Sequence, residues 1–211
     1  DRAMVDALIH DGLWCSFGNC HMGGHAEYTA WKADVSREDQ DQFAYESHMK
    51  AVAAIDSGDF SEEIIPVEIA GRKGTTVVDT DEPPRRDTTV EALARLRPAF
   101  AGDAPPEVEQ HSVTAGNAPG LNDGAAATVV TSEAYARANG LDILGRVTAY
   151  SVGATAPREL FVAPVDAVHR LMALEGTSID DYGLIEANEA FAVQAIADAR
   201  QLGMDMDRVN V

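Results

Sequence analysis

Leu184-Ile185-Glu186-Ala187-Asn188-Glu189-Ala190-Phe191-Ala192 is the stretch on which the reading of this chain turns. The apolar run Gly183 to Ala187 reads as a buried strand. From Asn188 to Leu202, Phe191, Ala195, Ile196, Ala199 and Leu202 recur at helical spacing. Asn188 and Glu189 therefore fall at a strand-to-helix junction, and in α/β folds ligands gather at the carboxyl ends of strands. The Asn188 amide has two uses there: it caps the helix, or it faces a substrate or a water.

The neighbouring segments alternate in the same way. Val129 to Thr131 reads as a strand and Glu133 to Asn139 as a helix closed by Gly140. Leu144 to Ala154 is expected as a strand. Pro164 to Leu174 is expected as a helix, with Pro at its first position and Val165, Val168, Leu171 and Met172 turned inward. Val209-Asn210-Val211 opens a last strand. From residue 121 onward this βαβαβ order predicts an α/β layered structure.

Residues 1 to 120 are richer in loops. Residues 1 to 23 read as a Gly-punctuated loop holding His21-Met22, which by themselves are a loop histidine beside a gap-filling methionine. His25 to Ala33 is expected as a helix, and Ser36-Arg37-Glu38-Asp39 as a capping box opening another that stops before Gly58. Ile64 to Ala70 and Thr75 to Val78 pair as a hairpin across Gly71 to Gly74. In the polar segment that follows, Arg85-Arg86 is either solvated or a phosphate anchor, and the two readings balance. Thr88-Thr89-Val90-Glu91 starts a short helix running to Leu96. Residues 101 to 112, rich in Pro, Gly and acid, are expected as a surface insertion, and the small residues of Val113 to Ala127 permit close backbone approach.

Charge narrows the partners. The 211 residues carry 35 acidic against 16 Lys and Arg side chains, a formal net charge of −19. That balance repels nucleic acid and anionic membranes. With Lys only at 32, 50 and 73, the acidic surface suits a high-salt cytoplasm. No apolar run is long enough to span a bilayer, and Asp1-Arg2-Ala3-Met4 is not a signal peptide. The first residue is not Met, so the native N-terminus is expected upstream. Cys15 and Cys20 have neither C-x-x-C spacing nor enough thiols for a zinc site, and read as buried thiols of a cytosolic protein. The six histidines show no metal-ligand spacing, so no metal is expected.

Four segments in order then resemble the thiolases, the family of acetyl-CoA acetyltransferases and 3-ketoacyl-CoA thiolases. They are Asp11-Gly12-Leu13-Trp14 with His21-Met22-Gly23; Leu96-Arg97-Pro98-Ala99-Phe100; Thr114-Ala115-Gly116-Asn117-Ala118 with Gly120-Leu121-Asn122-Asp123-Gly124-Ala125; and Glu186-Ala187-Asn188-Glu189-Ala190-Phe191. The resemblance implies a partial thiolase fold, an inserted loop domain plus incomplete α/β halves. Residues 1–120 would be the loop domain on the CoA-binding side, 121–142 the end of the N-terminal half, and 143–211 the start of the C-terminal half.

It also implies the chemistry. A cysteine thiolate takes an acyl group from a CoA thioester, a base removes a proton, and oxyanion holes stabilise the thioester oxygens. The family's nucleophilic Cys would lie before residue 1, and its Gly-His-Pro histidine and second Cys after residue 211. Asn188 would orient the oxyanion-hole water. Leu13, His21, Met22, Arg85, Ala115, Leu160 and Phe191 would contact the acyl-CoA, with Arg85 at the nucleotide end.

Coenzyme A enters as thioester substrate, not as a cofactor. Three positions depart from the family: Pro119 and Ala92 stand where a Ser is common, and Gly24-His25 replaces a small-Thr pair. The resemblance further implies a place in fatty acid metabolism, a homodimer or homotetramer for the full-length protein, and no activity of these residues alone. The alternative is a non-catalytic acyl-CoA or partner-binding module.

Overall fold

The computed structural model describes residues 4–211. Its centre is helix α1, Met22–Lys32, buried from Gly23 to Ala30. It begins three residues earlier than the spacing predicts, because the His21 side chain caps it. Nδ1 of His21 accepts from the Gly23 amide at 3.0 Å. Two glycines make this burial possible. A Cβ at Gly23 would stand 2.1 Å from the Phe100 ring, and one at Gly24 would stand 2.2 Å from the Asp103 carbonyl oxygen.

Helix α2, Arg37–Ser57, opens and closes as its sequence directs. Ser36 Oγ accepts from the Asp39 amide at 3.0 Å, and Gly58 takes a left-handed φ of 80° at the far end. Helix α3, Val90–Ala94, is capped by Thr89 and packs on α2. Helix α4, Glu133–Ala138, ends at Asn139-Gly140 as expected, and α5, Ala163–Glu175, ends at a left-handed Gly176. Helix α6, Ala192–Leu202, packs against α1, α2 and α5. The core formed between them contains Ala26, Ala30, Val35, Val113, Phe161, Phe191, Val193 and Ala197. Phe191 meets Phe161 edge-on at 5.1 Å between ring centroids.

Two antiparallel hairpins and 3-10 turns at Pro157–Val162, Ile179–Asp181 and Met206–Arg208 complete the regular structure of the described residues. The expected loop at residues 1 to 23 contains, in its described part, a π-helical turn, Leu8–Leu13, and the hairpin β1, Trp14–Cys15, with β2, Cys20–His21. Strands β3, Val67–Gly71, and β4, Gly74–Val78, form the second hairpin in the expected place, with Gly71 opposite Gly74, but β3 begins at Val67 and not at Ile64.

The remaining strand expectations are corrected. Val129 to Thr131 and Leu144 to Ala154 pair with nothing among the described residues, and Gly183 to Ala187 is not a buried strand. Leu184 is exposed, and Ile185 makes a single parallel bridge to Val209. A β-ladder requires a neighbouring strand to pair with, and among the described residues these segments find only that one bridge. Residues 101 to 112 are more than a surface insertion. Val108 is buried, Asp103 Oδ1 accepts from the His21 amide at 3.0 Å, and Glu27 accepts from the Ser112 and Val113 amides. Among the described residues no helix is long and apolar enough to cross a membrane.

Candidate active site

The Asn188 junction is built differently from its expectation. Helix α6 begins at Ala192, with Phe191 at its N-cap making no side-chain cap bond. Gln194 Oε1 instead reaches back to accept from the Ala190 amide at 3.1 Å. Asn188 is therefore not a capping residue. The residues on either side of it are held firmly. Asn210 pairs with the Ala187 backbone in both directions, its Oδ1 accepting at 2.8 Å and its Nδ2 donating at 2.9 Å. The Glu189 carboxylate accepts from Asn210 Nδ2 at 2.8 Å and from Ser47 Oγ at 2.6 Å. Asn188 itself is exposed, and its side chain makes no hydrogen bond among the described residues. A fixed backbone thus presents an uncommitted amide.

Glu189 also borders a groove of about 660 Å³. Phe43, Ser47 and His48 of α2 line one wall; Ala92 and Leu93 of α3 with Arg85, Asp87 and Thr88 form another. Residues Ala115 to Asn122 form the floor. That floor is fixed by buried polar pairs. Asn117 Nδ2 donates to Asp41 at 2.9 Å, and Asp41 accepts from Arg37 Nε at 2.7 Å. Arg37 also donates to the Leu93 carbonyl at 2.7 Å, so one network ties α2, α3 and the Asn117 turn together. Asn117 Oδ1 accepts from the Thr114 amide at 2.8 Å, and the Asn117 carbonyl accepts from the Ala192 amide at 3.1 Å. Gly116 leaves the space into which Leu93 and Leu96 fit, since a Cβ there would lie 2.5 Å from Leu96.

The two adjacent arginines separate. Arg86 is taken up by a bidentate pair with Asp56, both contacts at 2.7 Å. Arg85 lines the groove, and no ion pair to it is found among the described residues. Its amide donates to His48 Nδ1 at 3.3 Å. Burial, then the nearby Arg85 cation, lower the His48 pKa, which keeps that nitrogen an acceptor.

The other expected site residues form a second, apolar group. His21 stacks on Phe100 with centroids 4.8 Å apart, and Phe100 meets Phe191 edge-on at 6.2 Å. Met22 and Leu160 pack against the same core cluster, so the structure gives Leu160 a packing role. Leu13 ends the π-helical turn ahead of β1 and is half-buried. Arg85 and Ala115 thus line the groove, whereas His21, Met22, Leu160 and Phe191 gather at the core. Ala118 belongs to both, lining the groove and packing on the core cluster. Sequence reasoning missed Asn117, Asp41, His48, Ser47 and Asn210. Asn117 lay inside a quoted motif, but Asn210 stands 23 residues from Ala187 and carried no local signal.

Comparison with known proteins follows this geometry. The profile described as "Thiolase, N-terminal domain" matches residues 1–134, and "Thiolase, C-terminal domain" matches residues 141–211. An acetyl-CoA acetyltransferase of Pseudomonas aeruginosa is 49% identical over 209 residues, covering 99% of this chain and 51% of that protein. One from Paracoccus denitrificans is 46% identical over 211 residues, covering 100% of this chain and 52% of its own length.

Among solved structures, the Bacillus anthracis acetyl-CoA acetyltransferase superposes with a TM-score of 0.91 at 38% identity, over 100% of this chain and 52% of that one. Human mitochondrial 3-ketoacyl-CoA thiolase gives 0.88 at 35% identity, over 97% and 50%. The chain spans about half the length of the relatives it matches. With both profiles matched in order and the partial fold superposed over its whole length, the chain belongs to the thiolase family.

Proposed function

We propose that this chain is the CoA-binding portion of a thiolase-type acyltransferase that works through a cysteine acyl-enzyme. The thiol nucleophile and the acid/base His and Cys come from outside these 211 residues. The observation that carries the reading is the groove. It has one uncommitted guanidinium, Arg85, suited to phosphate or a purine face. Ala118 lies where the floor meets the aromatic core holding His21, Met22 and Phe191. A CoA thioester has this polarity along its length, with phosphates at one end and an apolar acyl group at the other. At the junction Asn188 offers its amide to the water of an oxyanion hole, while Ser47 and Asn210 hold Glu189 beside it. Residues 1–120, 121–142 and 143–211 divide as loop domain, end of the first half and start of the second. In the full-length protein, a cytoplasmic homodimer or homotetramer, the coenzyme is a substrate and no metal takes part.

Titration calorimetry with acetyl-CoA tests this reading. Binding is expected, weakened by Ala92 and Pro119, each of which omits a hydroxyl contact worth about 0.5–1.5 kcal/mol. Acetoacetyl-CoA cleavage by the 211-residue chain is expected to be nil. Measurable thiolysis, or no heat with acetyl-CoA, defeats the reading.

A further inference from the structure

The two cysteines of the chain are brought together by the β1–β2 hairpin, which carries His21 of the proposed acyl-CoA site but whose thiols that site does not use. Strands β1 and β2 place Cys15 directly opposite Cys20. Opposed residues of an antiparallel pair have Cα atoms about 4.5–5.5 Å apart, within the range a disulfide spans. Both sulfurs crowd one glycine of the connecting loop. The Gly18 amide donates to Cys15 Sγ at 3.3 Å, and a Cβ at Gly18 would come 3.1 Å from Cys20 Sγ. Cys20 Sγ lies 3.7 Å from Nε2 of His25, a buried histidine. Both side chains line a second cavity, of about 470 Å³, together with Asp103 and Arg158. Among the described residues no set of three or more His, Cys, Asp or Glu is arranged for a metal, which leaves thiol chemistry.

We infer that Cys15 and Cys20 are a thiol–disulfide modification site. Cys20 attacks a low-molecular-weight disulfide entering the cavity, and Cys15 resolves the product. His25 Nε2 takes the Cys20 proton. The thiolate bonds to one sulfur of the disulfide and the other leaves, gaining a proton to become a free thiol. Cys15, deprotonated in turn, bonds to Cys20 Sγ and expels the second thiol. Two protein thiols are oxidised and one small disulfide is reduced to two thiols, so electrons and protons balance.

Burial, with Cys15 and Asp103 adding to it, pushes the Cys20 thiol up, and burial and Arg158 push the His25 imidazole down. The resting pair is therefore neutral, and both shifts oppose the transfer, so the thiolate forms as a minor species and the oxidation quickens as pH rises. Closing the bond ties β1 to β2, the strand that ends at His21 and leads into Met22.

The test uses the reduced 211-residue chain in native buffer with glutathione disulfide, quenched by alkylation and read by intact mass. The expected product has lost two hydrogens and takes up no alkyl group. Cys15→Ser should accumulate one glutathione on Cys20. Cys20→Ser should react at least about tenfold more slowly, because Cys15 is the buried thiol. The unsubstituted chain decides the matter even if a variant misfolds. Two alkylatable thiols persisting in the native chain, closure only in urea, or glutathione captured by Cys15 in preference overturns the inference.

Discussion

Arg85 and Arg86 are chemically identical neighbours, and one bidentate contact separates their roles. Arg86 holds Asp56 on the outer surface of α2, leaving Arg85 to the groove. Arg85→Ala is expected to weaken acetyl-CoA binding about tenfold, the scale of one charge-assisted contact of roughly 1.4 kcal/mol. Arg86→Ala should leave affinity within about twofold, since an exposed pair contributes little. Calorimetry on the two variants checks the contrast, and equal losses would contradict it.

Gly24 supports a second expectation at this scale. Its neighbour is the backbone of Asp103, which has no rotamer with which to move away. Gly24→Ala should lower the unfolding free energy by about 1–3 kcal/mol, read from a urea transition. The His-Met-Gly motif was legible in the sequence. The contact that makes Gly24 necessary was not, because it comes from a residue 79 positions away.

Among the elements, helix α6 combines what pattern predicts with what packing decides. Its inward face, Ala195, Ala199 and Leu202, follows the helical period, and all three residues are buried. Its start does not follow from the period, since Gln194, not Asn188, satisfies the first exposed amide. Gln194 also donates to Asp198, a buried carboxyl whose other oxygen has no partner.

Burial raises the Asp198 pKa from 3.8 to about 6. A carboxyl that holds its proton more tightly when folded favours folding at low pH. Stability from this group is therefore greatest below 3.8 and declines as pH rises to about 6, above which the penalty is complete. Asp198→Asn should remove that slope and raise stability at pH 8 by on the order of 1–2 kcal/mol. Urea midpoints for the two proteins at pH 5 and pH 8 measure it, and parallel pH profiles would refute it. The caps at Ser36, Gly58 and Thr89 were legible because their signals lie within one turn of the helix they bound.

At the scale of the molecule, the helices are packed and three expected strand segments lie open. Leu144 is fully exposed, with Val129 88% and Tyr150 80% exposed. Large apolar side chains left in water favour association. Sedimentation velocity on the isolated chain is expected to show concentration-dependent self-association, and a monodisperse monomer at high concentration would contradict this. The net charge of −19 opposes compaction in dilute buffer. Stability should rise steadily with KCl as the Debye length shortens to roughly 3 Å near 1 M, and full stability without salt would sink the high-salt reading.

The sequence by itself determined family membership, the Ser36 and Thr89 caps and the β3–β4 turn, because each of these is written in residues close together along the chain. Only the tertiary structure decided which segments become strands and what surrounds Asn188. A ladder needs a partner edge, and the bonds that fix the Asn188 junction come from Ser47 and Asn210, far away in sequence. Residue order alone carries no record of that distance.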